Sequence, residues 1–157
     1  MNRGQEDNGN PKPILSELVE RSGALTAMLI SKEGFSIDEA GDTSYLNVTA
    51  MAALVAGMFS ATREVARLVG EEKFSILLQQ GENRHIHISL IDDSTMMVII
   101  FEDYQRIGLV RHEARKAATA ISSILKRPDK PEHAEEIATP QFKEYALNLI
   151  DRIFETK

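Results

Sequence analysis

Two histidines have the spacing in this sequence that best suits a chemical role. His85 and His87 are two positions apart, so both imidazoles project from the same face of an extended strand. Imidazole is a common ligand of zinc, copper and iron, and such a pair supplies two ligands to a metal ion. No third ligand lies near them in the sequence. We therefore expect structural or surface histidines and no metal site.

Motifs for enzyme catalysis are missing from the sequence. It contains no Walker loop, no G-x-S-x-G nucleophile turn, no H-E-x-x-H zinc motif and no Rossmann glycine pattern. Its acidic residues are scattered, without a spacing that indicates an acid/base pair. We therefore expect a protein without catalytic residues or a cofactor of its own.

The composition indicates an ordinary globular domain with an acidic surface. The chain has 157 residues and a formal net charge of -6, which argues against nucleic acid as a partner. It has no cysteine, which excludes disulfides and thiolate metal sites. The first residues are polar, unlike a signal peptide, and no apolar run approaches the about 20 residues that membrane insertion needs. We expect a cytoplasmic protein.

Hydrophobic periodicity and turn residues divide the chain into a domain and a tethered helix. The predicted order in the domain is helix, two strands, helix, three strands and helix, which is an α+β fold. Thr95 to Phe101 is apolar at every position after the threonine, so helices should cover both faces of the sheet. The predicted segments are a disordered tail (1–11), the domain (12–126), a linker (127–139) and a C-terminal amphipathic helix (140–157).

The second helix, predicted over Val48–Val69 with Asn47 as its N-cap, has two contrasting sides. Plotted at about 100° per residue, one side is an apolar stripe that we interpret as the core face. It consists of Met51, Leu54, Val55, Met58, Phe59, Thr62, Val65, Ala66 and Val69. The opposite side carries small side chains in its first half and charged side chains in its second half. It consists of Ala53, Ala56, Gly57, Ser60, Arg63, Glu64 and Arg67.

Two surfaces of the predicted structure suit a protein partner, although neither pattern decides the matter. Small side chains on a helix let another backbone approach closely, and nearby arginines bind carboxylates or carbonyls. The same pattern fits helix-favouring alanines, or a face that the chain itself buries. The C-terminal helix either folds back on its own domain or docks on a partner.

Several segments carry a family resemblance when they are taken in order. They are Leu54–Gly57, Leu68–Glu71 with Phe74 after it, Gln80-Gly81 at a strand-ending turn, the apolar strand ending in Phe101, and Ile107–Arg111. Together they resemble the Roadblock family, and within it the bacterial MglB-like regulators of Ras-like GTPases. The resemblance spans Ile14 to Leu125, which is the whole predicted domain.

The resemblance implies a three-layer sandwich. One five-stranded antiparallel sheet would carry the second helix on one face and the first and third helices on the other. It also implies a homodimer in which the third strands pair along their edges and the two second helices lie side by side. The strand residues carried over for this pairing are Phe74, Ile76, Leu77 and Leu78.

By the same resemblance, the partner is a small Ras-like GTPase of the MglA type, whose GTP hydrolysis the dimer accelerates by ordering the switch regions. The docking face would consist of Ala53, Ala56, Gly57, Ser60, Arg63, Glu64 and Arg67. The GTPase would supply the catalytic residues, so neither arginine is expected to act as an arginine finger. Two other functions stay open: a dimeric scaffold or adaptor in a motor, kinase or GTPase complex, and a ligand-sensing module, for which no converging polar residues are visible.

Overall fold

An antiparallel sheet of five strands organises residues 9–126, the part of the chain that the computed structural model describes. Its strands are β1 (Thr26–Ser31), β2 (Ser36–Gly41), β3 (Ile76–Gln80), β4 (His85–Asp92) and β5 (Thr95–Phe101). They lie in the order β2-β1-β5-β4-β3, so β2 and β3 form the two edges. The prediction of one five-stranded antiparallel sheet is confirmed.

Three helices cover the two faces of this sheet: α1 (Lys12–Ser22), α2 (Val48–Leu68) and α3 (Ile107–Leu125). Helix α2 packs on one face, and α1 and α3 pack together on the other. This arrangement confirms the three layers that the family resemblance implied. None of the helices within residues 9–126 combines the length and the apolar character that crossing a bilayer requires.

Strand β5 lies at the centre of both cores. All of its residues are buried, as its apolar sequence predicted. Because side chains alternate along a strand, β5 contributes to both cores at once. Met96, Val98 and Ile100 pack beneath α2, whereas Met97, Ile99 and Phe101 pack beneath α1 and α3.

The ends of α2 follow from residues that the sequence already indicated. The side chain of Asn47 accepts a hydrogen bond from the backbone N–H of Ala50 at 3.0 Å, which confirms it as the N-cap. The helix ends at Leu68, one residue before the predicted Val69. Gly70 follows with φ of 81°, a left-handed conformation that glycine adopts without strain.

Some predicted boundaries differ from the observed ones. Strand β3 begins at Ile76, so Phe74 lies in the segment that connects α2 to the strand. A short 3-10 helix, Tyr104–Arg106, precedes α3, and the Asp103 carboxylate caps it. The predicted linker and C-terminal helix, and most of the predicted N-terminal tail, lie outside the described residues.

Candidate partner-binding surface

The side of α2 that faces the sheet matches only part of the core stripe that the helical plot predicted. Its buried residues are Ala52, Val55, Ala56, Phe59 and Ala66. Leu54 and Val65, which the plot assigned to the core, are 69% and 51% exposed. Val69, also assigned to the core, lies beyond the helix and is exposed. The core face therefore overlaps the apolar stripe of the plot but is rotated away from Leu54 and Val65, toward Ala52 and Ala56.

Ala56 belongs to the core, and the prediction that it lies on the docking face is wrong. Its side chain is 9% exposed and joins the same core cluster as Val55 and Phe59. The turn between β1 and β2 covers it: a Cβ built on Gly34 would lie 3.7 Å from the Ala56 Cβ and 3.2 Å from the Ala53 Cα. A helical plot contains no information about which loop approaches the helix, so it cannot assign such a flank.

The other residues of the predicted docking face remain accessible. Ala53, Gly57, Ser60, Glu64 and Arg67 are exposed, and Arg63 is half-buried. A Cβ built on Gly57 would meet no atom within 4 Å, so the helix surface is smooth and open at this point. Binding of a partner by these residues stays a prediction.

The charged end of this face is tied to the domain itself. The Arg63 guanidinium donates to the backbone carbonyl of Asp93 at 3.4 Å, and Arg67 pairs with Glu64 at 3.3 Å. The Lys73 ammonium binds the Asp93 carboxylate at 2.8 Å, and this hydrogen bond lowers the pKa of Asp93 below its ordinary value. Exposed pairs of this kind add little stability. They do orient both arginine side chains along the surface of the domain.

A second exposed feature of α2, which sequence reasoning missed, is a line of apolar side chains that we name the α2 apolar stripe. It consists of Leu54, Ala61, Val65 and Leu68. Their spacing places them on one side of the helix, and Leu68 is 85% exposed. This side borders β3, because Gln79 donates a hydrogen bond to the sulfur of Met58 at 3.4 Å. Exposed apolar side chains in a row indicate a surface that an assembly covers.

Strand β3 leaves one row of backbone groups without a neighbouring strand within residues 9–126. Leu90 N–H binds Ser75 C=O, and Gly81 N–H binds Arg84 C=O, so the odd-numbered residues face β4. Because hydrogen-bonding direction alternates in antiparallel pairs, the N–H and C=O groups of the even-numbered residues point away from β4. These residues are Ile76, Leu78 and Gln80. The edge is thus available for pairing with another strand.

The side chains of β3 stabilise that edge from both faces. Leu77 packs with the core beneath α2, and Leu78 packs with the core beneath α3. Ile76 is only half covered by the domain. Of the four residues predicted for dimer pairing, three therefore lie in the edge strand, and Phe74 precedes it. The pairing itself stays a prediction.

The two histidines lie on the face of β4 that packs against α3. The Nδ1 of His85 accepts a hydrogen bond from the Gly81 N–H at 3.2 Å, and its ring lies 5.2 Å from Phe101 and 5.1 Å from Tyr104. His87 is buried at 1% exposure. Within residues 9–126, no three histidine or acidic side chains are grouped as metal ligands. The contacts of His85 give it a structural role.

Comparison with known proteins assigns the family. Residues 12–101 match the Roadblock/LC7 domain, and the chain belongs to this family. Its likeness to MglB, which the sequence motifs indicated, extends to solved structures. MglB from Myxococcus xanthus is 26% identical with a TM-score of 0.73, over 77% of this chain and 98% of that one. The gliding protein MglB from Thermus thermophilus is 27% identical with a TM-score of 0.68, over 74% and 91%.

More distant structures share the fold alone. A Roadblock/LC7 domain from Streptomyces avermitilis is 18% identical with a TM-score of 0.65, over 73% of this chain and 96% of that one. No curated protein sequence matches the chain.

Proposed function

We propose that this protein is a homodimeric, cytoplasmic regulator of a small Ras-like GTPase of the MglA type, and that it accelerates GTP hydrolysis by ordering the switch regions of that GTPase. The observation that carries the proposal is the likeness to MglB over nearly the full length of the Myxococcus protein. The exposed face of α2 supports it, because that face combines small side chains with arginines.

The docking face in this proposal is the outward side of α2. Ala53, Gly57 and Ser60 leave the helix backbone close to the surface, so an ordered switch segment can pack against it. Glu64 and Arg67 follow at the charged end, where they can exchange their mutual contact for hydrogen bonds to the GTPase. Ala56, which the core buries, is not part of this face.

The homodimer in this proposal covers two features that lie side by side. The α2 apolar stripe and the free edge of β3 border the same flank of the domain, as the Gln79–Met58 contact indicates. Pairing two β3 edges around a two-fold axis brings the two stripes together. One interface then satisfies the outward backbone groups and covers Leu54, Val65 and Leu68.

The regulator supplies no catalytic residue in this proposal. An arginine finger must extend into the nucleotide site of its partner. Arg63 instead reaches the Asp93 carbonyl of its own domain, and Arg67 lies along the helix toward Glu64. Acceleration of hydrolysis then depends on positioning groups that belong to the GTPase.

The variant Gly57→Arg tests the docking face. Its side chain enters open space, and replacing a helical glycine is expected to stabilise the helix by up to about 1 kcal/mol. The variant should therefore fold. Because Gly57 lies three residues after Leu54 and four before Ala61, sedimentation must first show that the dimer is retained; the arginine then blocks close approach of a GTPase. Gly108→Arg is the matched control, because it places the same change on another open helical glycine, in α3 on the opposite face of the sheet.

The assay follows phosphate release from a GTP-loaded MglA-type GTPase, alone and with the full-length chain. We expect hydrolysis to accelerate at least tenfold, Gly57→Arg to remove the acceleration and Gly108→Arg to retain it. Acceleration that survives Gly57→Arg would refute the docking face. Binding without acceleration would instead favour the alternative, a scaffold or adaptor without effect on hydrolysis.

A further inference from the structure

A cleft opens between α3 and the β3–β4 edge, on the face of the sheet opposite α2. Its volume is about 160 Å³. We name it the α3 cleft, and its walls consist of Ser75, Ile76, His87, Ser89, Leu90, Arg111, Ala114, Arg115 and Ala118. None of the residues proposed to bind the GTPase contributes to it.

Unpartnered polar atoms lie in the β4 wall of this cleft. His87 and Ser89 are 1% and 7% exposed. Both ring nitrogens of His87 and the hydroxyl of Ser89 have no hydrogen-bond partner among the described residues. Buried polar groups in folded proteins almost always have a partner, because burying them alone is unfavourable. Three such atoms in one wall mark a place where water or a polar ligand completes the hydrogen bonding.

Two arginines place positive charge at the same cleft. Arg111 and Arg115 are one turn apart on α3, and both are exposed. Within residues 9–126, neither guanidinium has a carboxylate within 4.0 Å, and no acidic residue lines the cleft. Burial, and secondarily the charge of Arg111, lower the pKa of His87, so its neutral ring offers one donor and one acceptor. The charge of the site therefore selects an anion.

The remaining walls of the cleft are aliphatic. They consist of Ile76, Leu90, Ala114 and Ala118. A strongly hydrated anion would lose solvation against these side chains, whereas a short hydrocarbon chain fits them. A protein cavity of about 150 Å³ holds a molecule the size of benzene, so the ligand has roughly six non-hydrogen atoms.

We propose that the α3 cleft binds a short-chain carboxylate, with the carboxylate on Arg111 and Arg115 and the hydrocarbon chain against Ala114 and Leu90. The planar fork of a guanidinium matches the two oxygens of a carboxylate. The hydroxyl of Ser89 and one N–H of His87 are the further donors in the site. This binding uses none of the residues of the proposed GTPase-docking face, although Ile76 belongs both to the cleft and to the β3 edge.

The test is a titration of the full-length, isotope-labelled protein with sodium butyrate, followed by the NMR signals of the His87 ring and the α3 amides at constant ionic strength. Saturable shifts confined to the cleft are expected. Butan-1-ol, which retains the chain without the charge, and inorganic phosphate, which has charge without the chain, should each bind at least tenfold more weakly.

Variants on α3 separate a specific site from general attraction of anions. Arg111→Gln and Arg115→Gln should each weaken butyrate binding about tenfold, the size expected for one charge-assisted hydrogen bond. Lys116→Gln removes a neighbouring positive charge that does not line the cleft but pairs with the buried Glu113 at 3.5 Å, so urea unfolding must first show that its stability is retained. The variant should then leave binding unchanged. Shifts that do not saturate, equal binding of phosphate, or butyrate binding that both arginine variants retain would each overturn the proposal. None of these outcomes bears on phosphate release by the GTPase.

Discussion

The α2 apolar stripe makes the proposed dimer sensitive to a substitution that the isolated domain should tolerate. Leu54 is 69% exposed, so Leu54→Ala removes few contacts within the domain. Alanine is also the residue that helices favour most, which keeps the stability of α2 unchanged or slightly higher. The variant should consequently remain folded, and the substitution should weaken dimerisation.

The size of that cost follows from the exposed fraction of the side chain. Leucine exceeds alanine by three carbon atoms, each worth about 0.8 kcal/mol when buried. Covering the 69% that the domain leaves exposed gives about 1.7 kcal/mol per protomer. A two-fold axis places Leu54 in the interface twice, so the dimer loses about 3 kcal/mol. Its Kd should rise by about two orders of magnitude.

Sedimentation equilibrium over a dilution series measures this dissociation constant directly. Leu109→Ala is the matched control, because Leu109 is also exposed but lies on α3, on the opposite face of the sheet. The control should dissociate as the parent protein does. A Leu54→Ala dimer as tight as the parent and control dimers would refute burial of the α2 apolar stripe between protomers.

The remaining predictions concern the sheet. Leu78→Pro removes the backbone N–H that points away from β4, so it should abolish the dimer in sedimentation velocity. Leu78→Ala loses core contacts but retains this N–H, so it should preserve the dimer. Dimers of equal strength in the two variants would contradict edge pairing. Burial lowers the pKa of His87 in the folded state, so the unfolded chain binds the proton first as the pH falls below 6.5. The free energy of unfolding should therefore fall as the pH drops from 6.5 to the folded pKa, by at most about 1.4 kcal/mol per pH unit. Urea unfolding of His87→Gln should lack this contribution. If the variant and the parent protein show the same dependence of unfolding free energy on pH, the assignment to His87 is wrong.

Sequence reasoning succeeded wherever the deciding interaction was local. Asn47 could be identified as a cap because an N-cap bonds only the first turn of its own helix. The apolar run of β5 required cover on both faces, whichever helices provided it. The family resemblance then supplied the layer order, which periodicity alone does not fix.

The orientation of α2 could not be obtained in the same way. A helical plot detects apolar residues without distinguishing those that contact the sheet from those that stay exposed on the domain. Leu54 and Val65 were therefore grouped with Val55 and Phe59, although only the latter two are buried in the domain. The core face is instead rotated toward Ala52 and Ala56, and a plot of apolar residues does not show whether such small side chains are buried or exposed.

The α3 cleft was also beyond reach of the sequence, because its polar residues come from distant elements. His87 and Ser89 alternate along β4, and Arg111 and Arg115 come together with them only when α3 packs on the sheet. In isolation, the histidine resembled half of a metal pair. These residues form a site because α3 packs on the sheet, and their spacing in the sequence does not reveal it.

The fold keeps the two proposed binding surfaces apart. In β4, His87 faces the α3 cleft, whereas its neighbour Ile88 packs beneath α2. Substitutions on separate faces with no shared contacts usually have additive effects. Gly57→Arg therefore tests GTPase regulation, and Arg111→Gln tests carboxylate binding. A variant that loses one of these functions but retains the other still has an intact domain. Strand β3 connects the two sides in the same way, because Ile76 lines the cleft and Leu77 packs with the core beneath α2.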